Sequence, residues 1–141
     1  MFDNKDKILK EANKICENTL METLNIEIVD IEEDYLISRM PVNSRVYQPD
    51  GVLHGGATAA LAESVGSFAA HILLDKKDFI IRGIEITANH IRSVKNGFIY
   101  AKAKFIHRGR TTQILSIDVT DESNNLISYC KLTTISLPKK K

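Results

Sequence analysis

One carboxylate, Glu63, lies inside an apolar run from Ala57 to Leu74 that holds no other acidic residue. An ionised carboxylate in such surroundings is costly unless partners satisfy it, so Glu63 is the first candidate for chemistry. Upstream stand His54, Gly55 and Gly56. If they open a helix, their backbone N–H groups are left uncovered at the positive end of its dipole, suited to an oxyanion. A carbonyl held there would be open to attack by Glu63, or by a water that Glu63 activates. The same residue types also allow a structural explanation. Glu63 could pair with Arg82 or Arg92, or serve a capping interaction, and the sequence alone leaves both readings open.

The neighbours divide in the same way. His54 could donate to the bound carbonyl or hold the loop, or it could be a helix-start residue bonded to backbone. Ser67 follows Glu63 by four residues, so both occupy one helix face. It could position water or a substrate group, or bond back to the Glu63 carbonyl. Gln48 could hydrogen-bond a water or a thioester carbonyl; otherwise it is a turn residue. His71, near the helix end, suits its position for electrostatic reasons and is given no role. Asn89-His90-Ile91-Arg92-Ser93 and His107-Arg108-Gly109-Arg110-Thr111-Thr112 carry arginines and N–H groups able to hold phosphates. For the second segment a solvated hairpin tip is the plainer explanation. The four histidines show no paired ligand spacing, so no metal is expected. Neither a G-x-S-x-G elbow nor a glycine-rich dinucleotide loop is present.

These side chains need elements to position them. Ile8, Leu9, Ala12, Ile15 and Cys16 fall at helical spacing, predicting an amphipathic helix over residues 5–20 that runs toward Leu20 or Met21. A strand through Ile26–Ile31, a turn at Glu32-Glu33-Asp34 and a strand Tyr35–Val42 predict a hairpin. Residues 43–53 read as a loop carrying chemistry onto the helix Gly56–Leu74. Strands follow at Phe79–Val94, Phe98–His107, Thr111–Thr120 and Leu126–Leu137, with Asn96-Gly97 as a hairpin turn. The expected fold is α+β, a curved antiparallel sheet wrapped around a long central helix, which is the hotdog architecture. The strand around Glu85–Asn89 would leave an open edge, which pairing with a second copy would cover.

Composition narrows the class. At 141 residues and 15.8 kDa, residues 1–141 fit a single domain. A net charge of +1 gives no nucleic-acid surface, and Lys139-Lys140-Lys141 reads as a solvated tail. Residues 57–74 lack the aromatic belts of a membrane span. Cys16 and Cys130 lie far apart and no signal peptide is evident, which points to reduced thiols in a cytoplasmic protein.

Gly51-Val52-Leu53-His54-Gly55-Gly56 followed by Leu61-Ala62-Glu63-Ser64-Val65-Gly66-Ser67 resembles the hotdog-fold acyl-CoA thioesterases. The likeness is greatest to the branch of 1,4-dihydroxy-2-naphthoyl-CoA hydrolase, the enterobactin-pathway proofreading thioesterase and one type of 4-hydroxybenzoyl-CoA thioesterase. It extends through Met40-Pro41-Val42, Gly83-Ile84-Glu85-Ile86, Ala88–Ser93 and Leu132-Thr133-Thr134. The resemblance implies Glu63 as nucleophile or general base, with Gln48 and His54 near the thioester and the Gly55 N–H polarising its carbonyl. Ser67 would lie across a subunit boundary, close to the acyl pocket. Coenzyme A contacts would fall on Gly83, on His90, Ile91, Arg92 and Ser93, and on His107, Arg108, Gly109, Arg110, Thr111 and Thr112. Glutamate rather than aspartate favours this branch over the phenylacetate type, and a homotetramer, a dimer of dimers, would follow. Phe68 and the Arg108-Gly109-Arg110-Thr111 turn depart from the pattern and leave the acyl group open. The expected activity is hydrolysis of an aromatic or medium-chain acyl-CoA, coenzyme A being part of the substrate and no cofactor being needed. A non-catalytic acyl-CoA sensor or scaffold is the alternative, and a hotdog hydratase a third.

Overall fold

A computed structural model describes residues 3–140. Helix α1 (Lys5–Ile15) and the short α2 (Leu20–Thr23) precede a hairpin of β1 (Glu27–Glu32) and β2 (Tyr35–Pro41). A 3-10 turn (Ser44–Val46) leads to α3 (Gly55–Leu73), then β3 (Phe79–His90), β4 (Phe98–Arg108), β5 (Thr112–Thr120) and β6 (Leu126–Pro138). The strands form one antiparallel sheet in the order β1-β2-β4-β5-β6-β3. No helix among the described residues is long and apolar enough to cross a membrane.

The period-two pattern decides which side of each strand meets α3. Leu36 and Met40 on β2, Ile99, Ala101 and Ala103 on β4, Leu115, Ile117 and Val119 on β5, and Cys130 and Leu132 on β6 are all buried. Against them α3 places Leu61, Ala62, Val65, Ala69 and Ala70, each at 0% exposure. Burying one such leucine or valine contributes about 1.5–3 kcal/mol, so this layer anchors the helix.

Three expectations are corrected. The first helix ends at Ile15, because Asn18 takes a left-handed conformation and Thr19 starts α2, its Oγ1 accepting from the Met21 N–H. The sheet packs over α3 as expected, burying the face with Thr58, Leu61, Val65 and Ala69, while Ala60, Glu63, Ser64 and Ser67 stay half-exposed. Strand β3 stops at His90 rather than Val94, since the Ile91 and Arg92 N–H groups both turn to the Ile127 carbonyl. Asn96-Gly97 does not close a hairpin between β3 and β4. The chain crosses there from the sheet edge to its middle, and the Gly97 carbonyl accepts from the Val42 N–H.

The two sheet edges differ. On β1 the Asn13 side chain of α1 pairs with Ile28 as a strand would, its amide donating to the Ile28 carbonyl and its oxygen accepting the Ile28 N–H, both at 2.8 Å. A bulge follows between Ile28 and Asp30. On β3 nothing comparable is found among the described residues: Ile84 is 57% exposed, and Glu85, Thr87 and Asn89 face solvent.

Candidate active site

The loop before α3 is tightly folded. Gln48 donates its N–H to Val52 and accepts from the N–H of Gly51, whose φ of 81° suits glycine. The His54 N–H bonds to the Val46 carbonyl at 2.8 Å. This loop sets His54 as the N-cap of α3, with Nδ1 accepting the Gly56 N–H at 2.7 Å. A neutral ring that accepts at Nδ1 carries its proton on Nε2, so His54 both caps the helix and keeps a donor. The N–H groups of Ala57 and Thr58 go to the His54 carbonyl. Among the described residues none accepts the Gly55 N–H, which therefore remains the open donor at the dipole's positive end.

Gly55 lines a cavity of about 220 Å³ together with Gln48, Thr58, His90, Arg92 and Ser93, among others. Four of the residues named from the strand end, His90, Ile91, Arg92 and Ser93, thus meet Gln48 and Gly55 in one place. His90 packs so close that a Cβ on Gly55 would come within 2.7 Å of its Nε2, so a side chain cannot enter there unless the ring moves. Its Nδ1 is 3.0 Å from Ser128 Oγ, and that hydroxyl donates to the Asn89 carbonyl. With the serine proton directed to that carbonyl, Nδ1 is left as the donor to Ser128.

Glu63 faces elsewhere. It lines an apolar cleft of about 350 Å³ with Leu20, Met21, Ala60, Ser64, Ser67 and Phe68. No ion pair or hydrogen bond engages it among the described residues, and neither Arg82 nor Arg92 reaches it. The Ser67 hydroxyl makes no bond back to the Glu63 carbonyl either. Gly83 on β3 supplies the room: a Cβ there would lie 2.8 Å from Glu63 Oε1.

The turn His107–Thr112 joins neither cavity within one chain. It is no loose tip. The Lys76 ammonium donates to the Arg110 carbonyl at 2.6 Å, and the fully buried Gln113 donates to Gly109 and Ser136 while accepting from Thr134. Arg108 donates to the Glu33 carbonyl and lies over the Phe105 ring, while Arg110, Thr111 and Thr112 are exposed.

A family model described as "Thioesterase superfamily" matches residues 50–128, more than half the chain. The chain belongs to that superfamily. Over 134 residues it is 40% identical to the 1,4-dihydroxy-2-naphthoyl-CoA hydrolase of Escherichia coli, covering 94% of this chain and 98% of that one. It is also 40% identical over 133 residues to a putative esterase of Haemophilus influenzae, covering 94% and 96%. The crystal structure of thioesterase HI1161 from Haemophilus influenzae superposes with a TM-score of 0.90 at 38% identity, covering 98% of this chain and 92% of that one. The protein is thus a hotdog-fold enzyme, a thioester hydrolase.

In this thioesterase the open donor and the open carboxylate cannot meet within one chain. Gly55 and Glu63 are about 12 Å apart along the helix axis. Gly55 lies against His90 and Glu63 against Gly83, positions roughly 23 Å apart along an extended strand. Attack needs the reacting atoms within about 3.5 Å. Sequence reasoning placed both groups on one helix without this separation, and it missed Thr58, Lys76, Gln113 and Ser128. For two of them a signal existed. Gln113 shares the inward phase of Leu115, Ile117 and Val119, and Ser128 that of Cys130 and Leu132. A polar residue in an inward phase needs a partner: Gln113 pairs with Gly109, Thr134 and Ser136, and Ser128 with Asn89 and His90.

Proposed function

We propose that this enzyme hydrolyses an aromatic or medium-chain acyl-CoA at a site built from two copies of the chain, each copy being a single domain. The reading rests chiefly on Glu63, a half-buried carboxylate without a partner among the described residues, given space by a glycine on the open edge strand. Pairing of two β3 edges about a two-fold axis would carry Glu63 of the partner subunit toward the Gly55 end of α3. The Gly55 N–H then polarises the thioester carbonyl, with Gln48 and the His54 Nε2–H beside it. Glu63 attacks the carbonyl carbon or takes a proton from the attacking water. The C–S bond breaks and the electron pair leaves on sulfur, which takes up a proton; water supplies the acid's second oxygen. The substrate's phosphates fall to His90–Ser93 and to the cationic turn His107–Thr112, and Ser67 and Phe68 border the acyl group. Coenzyme A enters as part of the substrate, and no other cofactor takes part. The resemblance further implies a dimer of dimers and a cytoplasmic setting.

Thiol release from a panel of naphthoyl-, benzoyl- and medium-chain acyl-CoAs tests the reading. Glu63→Gln is expected to lower kcat roughly a thousandfold without loss of fold. Retention of more than a tenth of the wild-type rate would overturn it. Binding without thiol release across the panel would indicate an acyl-CoA sensor instead.

A further inference from the structure

The cavity at the start of α3 contains one polar side chain that neither the expected site residues nor the capping interactions use. Thr58 is 2% exposed, lines that cavity, and its hydroxyl makes no hydrogen bond among the described residues. Threonine in a helix commonly returns its hydroxyl to the carbonyl four residues back. Here that carbonyl is His54's, which already accepts the Ala57 N–H at 3.0 Å and the Thr58 N–H at 3.2 Å. Both lone pairs are engaged, and the hydroxyl is left over.

Helix geometry says where it points. The Cα–Cβ bond tilts toward the helix N-terminus, so a side chain lies over the residues three and four positions earlier. For Thr58 those are Gly55 and His54. The one uncommitted N–H of the first turn and the one uncommitted hydroxyl therefore belong to two residues that line the same cavity. An oxyanion offers three lone pairs, and a single N–H serves one of them.

We propose that Thr58 is a further catalytic residue, its hydroxyl donating the second hydrogen bond to the thioester carbonyl oxygen held by the Gly55 N–H. This rests on the hydrolase reading above. As the oxygen of Glu63 or of water bonds to the carbonyl carbon, the π pair moves to the carbonyl oxygen, and both donors hold the resulting anion. When the C–S bond breaks, the pair returns to re-form C=O, and sulfur leaves with its own pair. Thr58 keeps its proton throughout, and the β-branch limits its rotamers before substrate arrives.

The test is benzoyl-CoA hydrolysis by Thr58→Val, which keeps the shape and removes the donor. The expected result is a fall in kcat of about 100-fold with KM little changed, and Thr58→Ser is expected to rescue the rate to within about threefold of wild type. A rate within twofold of wild type for the valine variant overturns the proposal. So does a serine variant as impaired as valine, which would show that the methyl matters and the hydroxyl does not. Should valine not fold, Thr58→Cys, of similar size and a weak donor, carries the same expectation. Infrared spectra of carbonyl-labelled benzoyl-CoA bound to Glu63→Gln give an independent measure. Adding Thr58→Val should move the C=O stretch to higher frequency, and an unchanged band counts against the role. If Glu63→Gln retains activity, the hydrolase reading itself fails. If Glu63→Gln is inactive while Thr58→Val is not, only the role of Thr58 fails.

Discussion

The first and third turns of α3 belong to one helix and are built on opposite plans. In the first turn almost every polar group is committed: His54 takes the Gly56 N–H at its ring, and its carbonyl takes those of Ala57 and Thr58. What remains is one N–H and one buried hydroxyl. In the third turn Glu63 is committed to nothing among the described residues and faces an apolar cleft across from Gly83. The first plan suits a group that must already be aimed when charge develops. The second suits a group that must reach a reacting atom, and reach needs space. The glycines serve each plan differently. Gly55 admits the His90 ring against the backbone, whereas Gly83 admits a carboxylate.

The largest effect comes from separating the two turns onto different chains. Glu63→Gln alone and Gly55→Ala alone, the latter setting a methyl against His90, should each be nearly inactive in thiol release. Chains of the two kinds, co-expressed, should recover about a quarter of wild-type activity, because half the dimers are mixed and each holds one site free of both lesions. Mixed dimers that stay inactive would show that the two turns never share a site. Next in size is Gly83→Ala. A Cβ 2.8 Å from Glu63 Oε1 must displace the carboxylate, and kcat should fall about 10- to 100-fold, since an ångström of misplacement can cost about 10². Activity within twofold of wild type would mean that Glu63 works from another rotamer.

The smallest effect touches only the third turn's outer wall, where Leu20 and Met21 follow α1. Lys5 ties α1 to β1 through Asp30 and Glu32, the latter at 2.7 Å. Burial alone would raise the Asp30 carboxyl; the Lys5 and Tyr35 hydrogen bonds outweigh it and hold it below the usual range. A depressed carboxyl stabilises the fold above its unfolded value of about 3.9, and that contribution disappears as pH falls through the folded value. Lys5, raised chiefly by its hydrogen bond to Asp30, contributes until pH climbs through its own folded value. Lys5→Ala should therefore lower Tm by a few degrees at pH 7 and by progressively less as pH falls through the folded value of Asp30. A gap that does not narrow in acid would assign the loss to packing of the lysine stem.

Much of this was legible because it is local. Alternation in Phe98–Arg108 and Thr112–Thr120 marked β4 and β5, and the apolar run marked α3 nearly to its ends. Strand order was not legible: the Asn96-Gly97 signal was that of a turn, but β3 pairs with β6, dozens of residues away, and a turn residue carries no information about distant partners. At the site, residue types singled out Glu63 and Gly55, whereas the direction each faces depends on β3, through Gly83 and His90. Gln113 and Ser128 could have been caught by phase alone. Thr58 could not, because its interest lies in what the His54 carbonyl already accepts.

The unequal sheet edges have a consequence for growth. A protomer with two open edges is a bifunctional monomer, and edge-to-edge addition would extend it into a fibre. Asn13, bonded to both the N–H and the carbonyl of Ile28 beside a bulge, makes the β1 side a chain stopper. A protomer left with β3 as its single reactive end can join one other through that edge and then has none to offer. The same asparagine amide that fastens α1 to the sheet therefore closes one edge, and sheet extension is confined to β3.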